Sequence, residues 1–210
     1  MPLTTVVPPE SALTAARKFL ETLAGIGAGT PRIRAIPLHD LALSLPHPVF
    51  DLGLPDAAKG DLGRARLVAW RYLVVRGSDP IAAVEVAVSK GAVREDAVSV
   101  NEGMTVAGTA RATRVAEAVM ETEAGPRELR LLRVAALYVD ALWLKATGGE
   151  GGQGGDLMIP IAGSPTSLGV NRPAPSKEFT NSLAKLARER LRFGDPTATR
   201  RRMGRPKRTK

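Results

Sequence analysis

The sequence predicts an α+β protein: an antiparallel sheet of two hairpins with helices on one face, plus an appended C-terminal helix and a disordered basic tail. Two observations lead to this prediction. Segments whose apolar residues recur at helical spacing alternate with apolar runs typical of strands. In addition, basic residues are concentrated at the C-terminal end. With 210 residues, 44% of them hydrophobic, the chain is long enough to bury a core.

A first helix is predicted over residues 10–24. Leu13, Ala16 and Leu20 recur there at helical spacing with charged residues between them, and Gly25 marks the end. The following segment, residues 31–63, contains five prolines and several glycines. Because these residues interrupt regular structure, we expect short strands in irregular connections there.

Residues 65–88 show the clearest strand pattern. In the first half of this segment, both alternating sets of residues are largely apolar. Residues 77–80 are of the types that favour a turn. We therefore predict a hairpin whose first strand is covered by helices on one side and in part on the other. A turn at residues 101–103 precedes a second predicted helix over residues 105–122.

Residues 129–146 are the most apolar part of the chain and permit two interpretations. Arg130, Arg133 and Asp140 fall on one side of a helical wheel, which is compatible with a buried helix. A strand is favoured, because a glycine-rich segment links this run to a shorter apolar run at residues 156–162. Two apolar runs joined by a flexible loop are typical of a hairpin. This second hairpin completes the predicted sheet, with the first two helices together on one face.

The rest of the chain is divided by composition. Residues 163–175 contain three prolines and are expected to form an exposed linker. An amphipathic pattern predicts a third helix over residues 176–194. Residues 195–210 offer too little apolar surface to order themselves, so we expect a disordered basic tail. Residues 1–162 are predicted to form one α+β globular domain.

Charge is strongly segregated along the chain. The net charge is +9, and residues 177–210 carry twelve basic and three acidic residues. The 18 basic and 18 acidic residues of positions 1–176 therefore cancel. Such asymmetry indicates a basic segment with an anionic partner rather than a basic fold.

The last eleven residues are the candidate nucleic-acid-binding site. Seven basic residues lie there without an intervening acid: Arg200, Arg201, Arg202, Arg205, Lys207, Arg208 and Lys210. A flexible cationic chain binds phosphates mainly by releasing counterions, so its binding tolerates many sequences and weakens with salt. Gly204, Arg205 and Pro206 resemble the core of an AT-hook, which implies contact with an A·T minor groove. Met203 departs from the arginine that such hooks usually place before the glycine.

Two histidines could carry other chemistry. His39 and His47 lie close to Asp40 and Asp51, a combination that could form a metal site or an acid/base pair. The eight-residue spacing differs from the i, i+4 spacing of a helical zinc site. We therefore expect surface or turn histidines and predict no metal.

Two carboxylates stand inside apolar runs. If Glu85 or Asp140 were buried, its pKa would be perturbed, which is a common property of functional carboxylates. The simpler interpretation is exposure to solvent or structural pairing with Arg71, Arg130 or Arg133.

The aromatic residues are expected in the core or half-buried in the sheet, with a ligand pocket as the alternative. They are Trp70, Tyr72, Tyr138 and Trp143.

Composition and motifs limit the function. The absence of cysteine excludes disulfides, thiolate metal sites and cysteine nucleophiles. The apolar runs are too short for a membrane span, so we expect a cytoplasmic protein without a membrane partner. No cofactor and no catalytic activity are predicted. The predicted function is a non-catalytic binding or accessory protein whose basic arm contacts DNA or RNA without strong sequence preference. The alternatives are a protein-interaction or homo-oligomerising module with an incidental tail, and a small-molecule-binding domain.

Overall fold

The computed structural model describes residues 4–26, 31–122, 125–147 and 155–194. Within these ranges the chain folds as an α+β protein with one large mixed sheet and helices on both of its faces. The predicted basic tail, residues 195–210, lies outside the described residues.

Within the described residues, nine strands form the sheet. They are β1 (Thr4–Thr5), β2 (Leu41–Asp51), β3 (Arg66–Arg76), β4 (Asp79–Ser89), β5 (Ala92–Asn101), β6 (Arg127–Val134), β7 (Val139–Ala146), β8 (Leu157–Pro160) and β9 (Ala174–Pro175). Their order is β5-β4-β3-β2-β6-β7-β8-β9, with β1 beside β6. The pairs β2–β6 and β1–β6 are parallel, and the other pairs are antiparallel. The sheet is therefore larger than the two predicted hairpins.

Five α-helices lie within the described ranges. They are α1 (Glu10–Gly25), α2 (Pro31–Arg34), α3 (Leu54–Ala57), α4 (Met104–Thr122) and α5 (Ser176–Gly194). The three long helices, α1, α4 and α5, confirm the three helices predicted from apolar spacing. Among the helices of these ranges, none has both the length and the hydropathy needed to cross a membrane.

The first predicted hairpin is confirmed as β3 and β4, which are joined through Gly77 and Ser78. Strand β5 extends this hairpin as an edge strand, and the sequence did not predict it. Three consecutive charged residues, 94–96, interrupt the apolar alternation of β5. An edge strand tolerates such charges because one of its sides carries no neighbouring strand.

The prediction of only short, irregular strands in residues 31–63 is wrong. Strand β2 spans eleven residues of this segment and lies in the interior of the sheet. Pro46 is accommodated because the pairing of β2 with β3 shifts register between Ser44 and His47. A proline at such an irregularity removes no hydrogen bond from the ladder.

Residues 129–146 are strand and not helix, as predicted, but they contribute to two strands instead of one. Strands β6 and β7 are separated by a short 3₁₀ turn at Ala135–Leu137. Tyr138 follows this turn with a φ of 55°. The predicted hairpin between this region and the next apolar run is confirmed by the antiparallel pairing of β7 with β8.

The prediction that α1 and α4 share one face of the sheet is wrong. Helix α1 packs in a cluster with Trp70 and Tyr72 of β3. Helix α4 packs on the opposite face, in clusters that contain Ala69 and Leu73. Successive side chains of a strand point to opposite faces, and in β3 both sets are apolar, so each face needs a covering layer. Helix α5 covers the face of α1, over the β6 to β8 half of the sheet.

The segment predicted as an exposed linker, residues 163–175, packs in part against the body. Ser164 and Leu168 of this segment are each only 7% exposed, and its last two residues pair with β8 as strand β9. Helix α5 is not a free appendage, because Phe179 and Leu183 are buried in the same cluster as residues of β6 and β7. The prolines of this segment are compatible with short turns and an edge strand. The apolar side chain of Leu168 is buried in the core.

Candidate functional site

The two histidines do not form a joint site. The side chain of His39 is 83% exposed, and its Nε2 lies 3.5 Å from Asp40 Oδ1. His47 is 1% exposed and lies opposite Arg71 in the sheet. The strand residues between the histidines extend over about 20 Å. The expectation of a surface or turn histidine therefore holds for His39 and is wrong for His47. In the described ranges, no group of three or more His, Asp or Glu side chains is placed to hold a metal.

The predicted pairing of the apolar-run carboxylates with arginine is confirmed. Glu85 is 8% exposed. Arg133 donates from Nη2 to Glu85 Oε1 at 2.8 Å and from Nη1 to Oε2 at 3.1 Å. Arg71 Nη1 lies 3.5 Å from Glu85 Oε1. Arg133 also donates from Nε to Asp140 Oδ1 at 3.3 Å. One guanidinium therefore links two carboxylates.

This buried charge network joins strands that are not neighbours. Glu85 belongs to β4, and Arg133 belongs to β6, with β3 and β2 between them in the sheet. Arg71 lies between Ala69 and Leu73 on the face that α4 covers, and its partner Glu85 is directly opposite it. The network thus lies on the α4 face of the sheet, with Arg71 and Glu85 buried and Arg133 and Asp140 partly exposed.

The arginines keep Glu85 ionised. Burial by itself would raise the pKa of Glu85, but the hydrogen bond and charge of Arg133 oppose it, together with the charges of Arg71 and His47. The result is a pKa below the usual glutamate value. Burial lowers the pKa of Arg71, although Glu85 and Asp140 act in the other direction. A carboxylate held this firmly as an anion is a poor proton acceptor at neutral pH, which favours a structural role.

The third candidate arginine has other partners. Arg130 donates from Nε to Glu128 Oε1 at 2.6 Å. Its guanidinium carbon lies 4.8 Å from the ring centre of Phe50 and 5.2 Å from that of Trp143. Trp143 donates in turn from Nε1 to Asp156 Oδ2 at 2.8 Å. These contacts link side chains on the sheet face that α5 covers, because the rings of Phe50 and Trp143 both belong to the cluster beneath α5.

Three of the four aromatic residues named above are buried, as expected. Trp70 and Trp143 are 5% exposed and Tyr72 is 1% exposed. Burial raises the pKa of Tyr72 to about 12, although the charge of Arg17 lowers it. The prediction is wrong for Tyr138, which is 81% exposed. Its place after the tight turn between β6 and β7 puts its ring on the surface.

A groove opens beside the exposed Tyr138. Its volume is about 250 Å³. We call it the C-terminal groove, and its walls are formed by Ala136, Leu137, Tyr138, Pro165, Leu186, Glu189, Arg190 and Phe193. Phe193, in the last turn of α5, is 67% exposed. The groove therefore carries an aromatic ring from each of two different elements.

Sequence reasoning missed Phe193 as a surface residue. Phe193 follows Leu186 by seven residues and so continues the apolar stripe of α5. Burial along that stripe ends at Ala187, and the residues from Arg188 to Phe193 are all exposed. The helix thus extends beyond the body that it covers. The signal in the sequence was an apolar stripe on α5 that continues past the residues that the sheet covers. How far the sheet extends depends on the tertiary structure, so the sequence alone did not show where burial along the helix ends.

The exposed surface of α5 is basic. It presents five basic and two acidic side chains, namely Lys177, Lys185, Arg188, Arg190, Arg192, Glu178 and Glu189. Arg188 is also fixed to the body, since its Nε donates to the carbonyl oxygen of Ala58 at 2.9 Å. The candidate nucleic-acid-binding residues follow this helix in the chain and lie outside the described residues: Arg200, Arg201, Arg202, Arg205, Lys207, Arg208 and Lys210.

No family model, curated protein or solved structure matches this chain.

Proposed function

We propose that the protein is a non-catalytic accessory protein that binds nucleic acid through its basic C-terminal segment, residues 195–210, without strong sequence preference. The observation that carries the proposal is the run of seven basic residues and no acid in positions 200–210. Cations on a chain of this kind neutralise phosphates and release counterions, which supplies affinity without reading base sequence.

The position of α5 supports the proposal. The buried contacts of Phe179 and Leu183 hold the helix on the sheet. Its exposed surface carries a net positive charge, and Arg190 and Arg192 lie close to its C-terminal end. The basic segment therefore directly follows, in the chain, a positively charged helix that is held on the sheet. Cations also interact favourably with the C-terminal end of a helix dipole.

The pairing of the buried carboxylates supports the non-catalytic part of the proposal. Glu85 and Asp140 were the acids whose placement suggested chemistry, and both accept hydrogen bonds from Arg133. The lowered pKa of Glu85 matches a carboxylate that stabilises the fold rather than one that transfers protons.

The test is a charge-neutralised full-length variant in which the seven basic residues are replaced by glutamine. Binding of labelled DNA and RNA is measured by fluorescence anisotropy at about 50 mM and about 200 mM salt. For the natural chain we expect affinity to fall by about 10³-fold over this range, as for proteins that make six or more phosphate contacts. The neutralised variant should lose most of the binding and of the salt dependence.

The matched control replaces Arg111 and Arg114, two exposed arginines of α4, by glutamine. This change should leave nucleic-acid affinity close to that of the natural chain. The proposal is wrong if the neutralised variant binds with unchanged affinity and salt slope. Size-exclusion chromatography of the same proteins tests the alternative of an oligomerising module, which predicts a stable oligomer whether or not the charges are present.

A further inference from the structure

Two aromatic rings are held in solvent on the walls of the C-terminal groove. Tyr138 is 81% exposed and Phe193 is 67% exposed, whereas both tryptophans of the chain are 5% exposed. Exposure of a large ring is unfavourable in water, because burial of an aromatic side chain contributes strongly to stability and to binding. Two such rings in one groove form a surface suited to flat, apolar ligand faces.

Each ring extends from a backbone segment that is already folded. The Tyr138 N–H donates to the carbonyl oxygen of Ala135 at 3.1 Å and closes the tight turn. Phe193 belongs to the last turn of α5, whose middle is anchored in the core by Leu183. A ligand that binds between elements already in place orders little of the protein backbone, which lowers the entropic cost of binding.

The helix end beside the rings carries a net positive charge, which favours an anionic ligand. Arg190 and Glu189 line the groove, and Arg188 and Arg192 are also exposed on this helix end. The positively charged segment 195–210 follows directly in the chain. Aromatic rings beside cationic side chains are the combination by which proteins bind single-stranded nucleic acid, with bases stacked on the rings and phosphates beside the cations.

We propose that the nucleic acid bound by this protein is single-stranded, and that Tyr138 and Phe193 stack on its bases at the C-terminal groove. This inference rests on the function proposed above and specifies its substrate class. A duplex keeps its base faces stacked on one another, so it offers phosphates to the basic segment but no free base face to the groove. Stacking accepts any base, which agrees with binding that lacks strong sequence preference.

The test uses the full chain and two labelled ligands, a homopyrimidine single strand of about 16 nucleotides and a duplex of equal length. Tyr138→Ala and Phe193→Ala should each weaken single-strand binding about tenfold, since each removes one stacking platform. Duplex binding should remain unchanged. Tyr138→Phe keeps the ring and should retain single-strand affinity. The control is Met104→Ala, which removes an exposed apolar side chain outside the groove and should change neither affinity.

A second set of variants tests the charge of the groove. Glu189 lines the groove and repels phosphate, so Glu189→Gln should strengthen single-strand binding. Glu178→Gln removes an equal charge at the opposite end of α5 and should strengthen it less. Thermal unfolding of every variant should match that of the natural chain, because the altered side chains are exposed.

The outcomes separate this inference from the proposed function. If charge neutralisation abolishes binding but the alanine variants bind the single strand normally, the inference is wrong and the proposed function stands. An equal loss of single-strand and duplex affinity in the alanine variants also overturns it. If charge neutralisation leaves all binding intact, the proposed function itself fails. A change of oligomeric state in Tyr138→Ala or Phe193→Ala, with unchanged affinity, would identify a second copy of the chain as the occupant and would overturn the inference.

Discussion

Glu85 is the residue on which the buried charge network depends. It accepts hydrogen bonds from both terminal nitrogens of Arg133, and it lies beside the buried Arg71. Replacement by glutamine leaves two guanidinium groups without their shared anion, so we expect Glu85→Gln to lower the free energy of unfolding by about 3–5 kcal/mol. Urea denaturation measures this loss. The control is Asp96→Asn, because the ion pair of Asp96 with Arg94 is exposed to solvent and its loss should change stability little.

The effect of Glu85→Gln should depend on pH in a definite direction. Because the folded-state pKa of Glu85 is below its unfolded value, the stability that ionised Glu85 contributes is complete above the unfolded pKa, about 4.3. It is lost as the pH falls through the lower folded pKa. The difference in unfolding free energy between the natural chain and Glu85→Gln should therefore shrink in acid. A difference that stays constant from pH 7 into the acidic range would contradict the network as described.

This network could be predicted from the sequence only in part. The acids at 85 and 140 stand out because they interrupt apolar runs, so an arginine partner was predictable for each. The choice of Arg133 over Arg130 was not, because it depends on which strand face each side chain occupies. Position 133 shares a face with Glu85, whereas position 130 points to the face covered by α5. Strand register and alternation decide this, and neither can be derived from composition.

At the scale of elements, α4 packs closely at Gly108 against the residues that follow β8. A Cβ at this position would lie 2.5 Å from Ile161 Cγ2 and 3.1 Å from the backbone nitrogen of Ala162. Alanine is about 1 kcal/mol better than glycine inside a helix, but forced overpacking costs about 1–3 kcal/mol. We expect the packing cost to prevail because a backbone atom also stands in the way, so Gly108→Ala should lower stability in urea unfolding.

The matched control is Gly25→Ala at the end of α1, where no atom lies within 4 Å of the added carbon. This variant should be neutral or slightly stabilising. A double-mutant cycle with Ile161→Ala then tests the mechanism, because removal of the clashing side chain should reduce the cost of Gly108→Ala. If Gly108→Ala raises stability, the close packing of α4 on the sheet is wrong.

Helices were more predictable from this sequence than their placement. Helical spacing of apolar residues is a local property, so α1, α4 and α5 could be identified. Strand β2 was missed because its prolines suggested interruption, yet the shift in register near Pro46 and the neighbouring strands accommodate them. The opposite placement of α1 and α4 follows from two apolar faces in β3, and that pattern alone does not tell which helix covers which face.

At the scale of the whole molecule, the separation of charge is the property that the sequence conveys most directly. The count of charged residues divides a neutral body from a basic C-terminal region without reference to any fold. The C-terminal groove could not be found in this way. It requires Tyr138 from the turn after β6 and Phe193 from α5 to lie along one surface, although 55 positions separate them in the chain.

Helix α5 packs as part of the body of the protein. Leu183 is fully buried in a cluster that includes Leu132 and Trp143 of the sheet. Leu183→Ala should therefore destabilise the entire protein by about 2–5 kcal/mol, the cost of a cavity in a packed core. Leu191→Ala is the control on the same helix, since Leu191 is 40% exposed and its loss should cost little.

Unfolding followed by two probes tests whether α5 and the sheet form one cooperative unit. Circular dichroism reports the loss of helix, and fluorescence reports the environment of the buried Trp70 and Trp143. Because α5 covers half of one sheet face, its release would expose the core of that half, so the two transitions should coincide in the natural chain and in Leu183→Ala. An early loss of helix signal in Leu183→Ala, with tryptophan fluorescence still native, would instead mean that α5 docks on a body that is stable without it. The basic segment would then begin from a detachable helix, and the fixed geometry of the C-terminal groove would be lost with it.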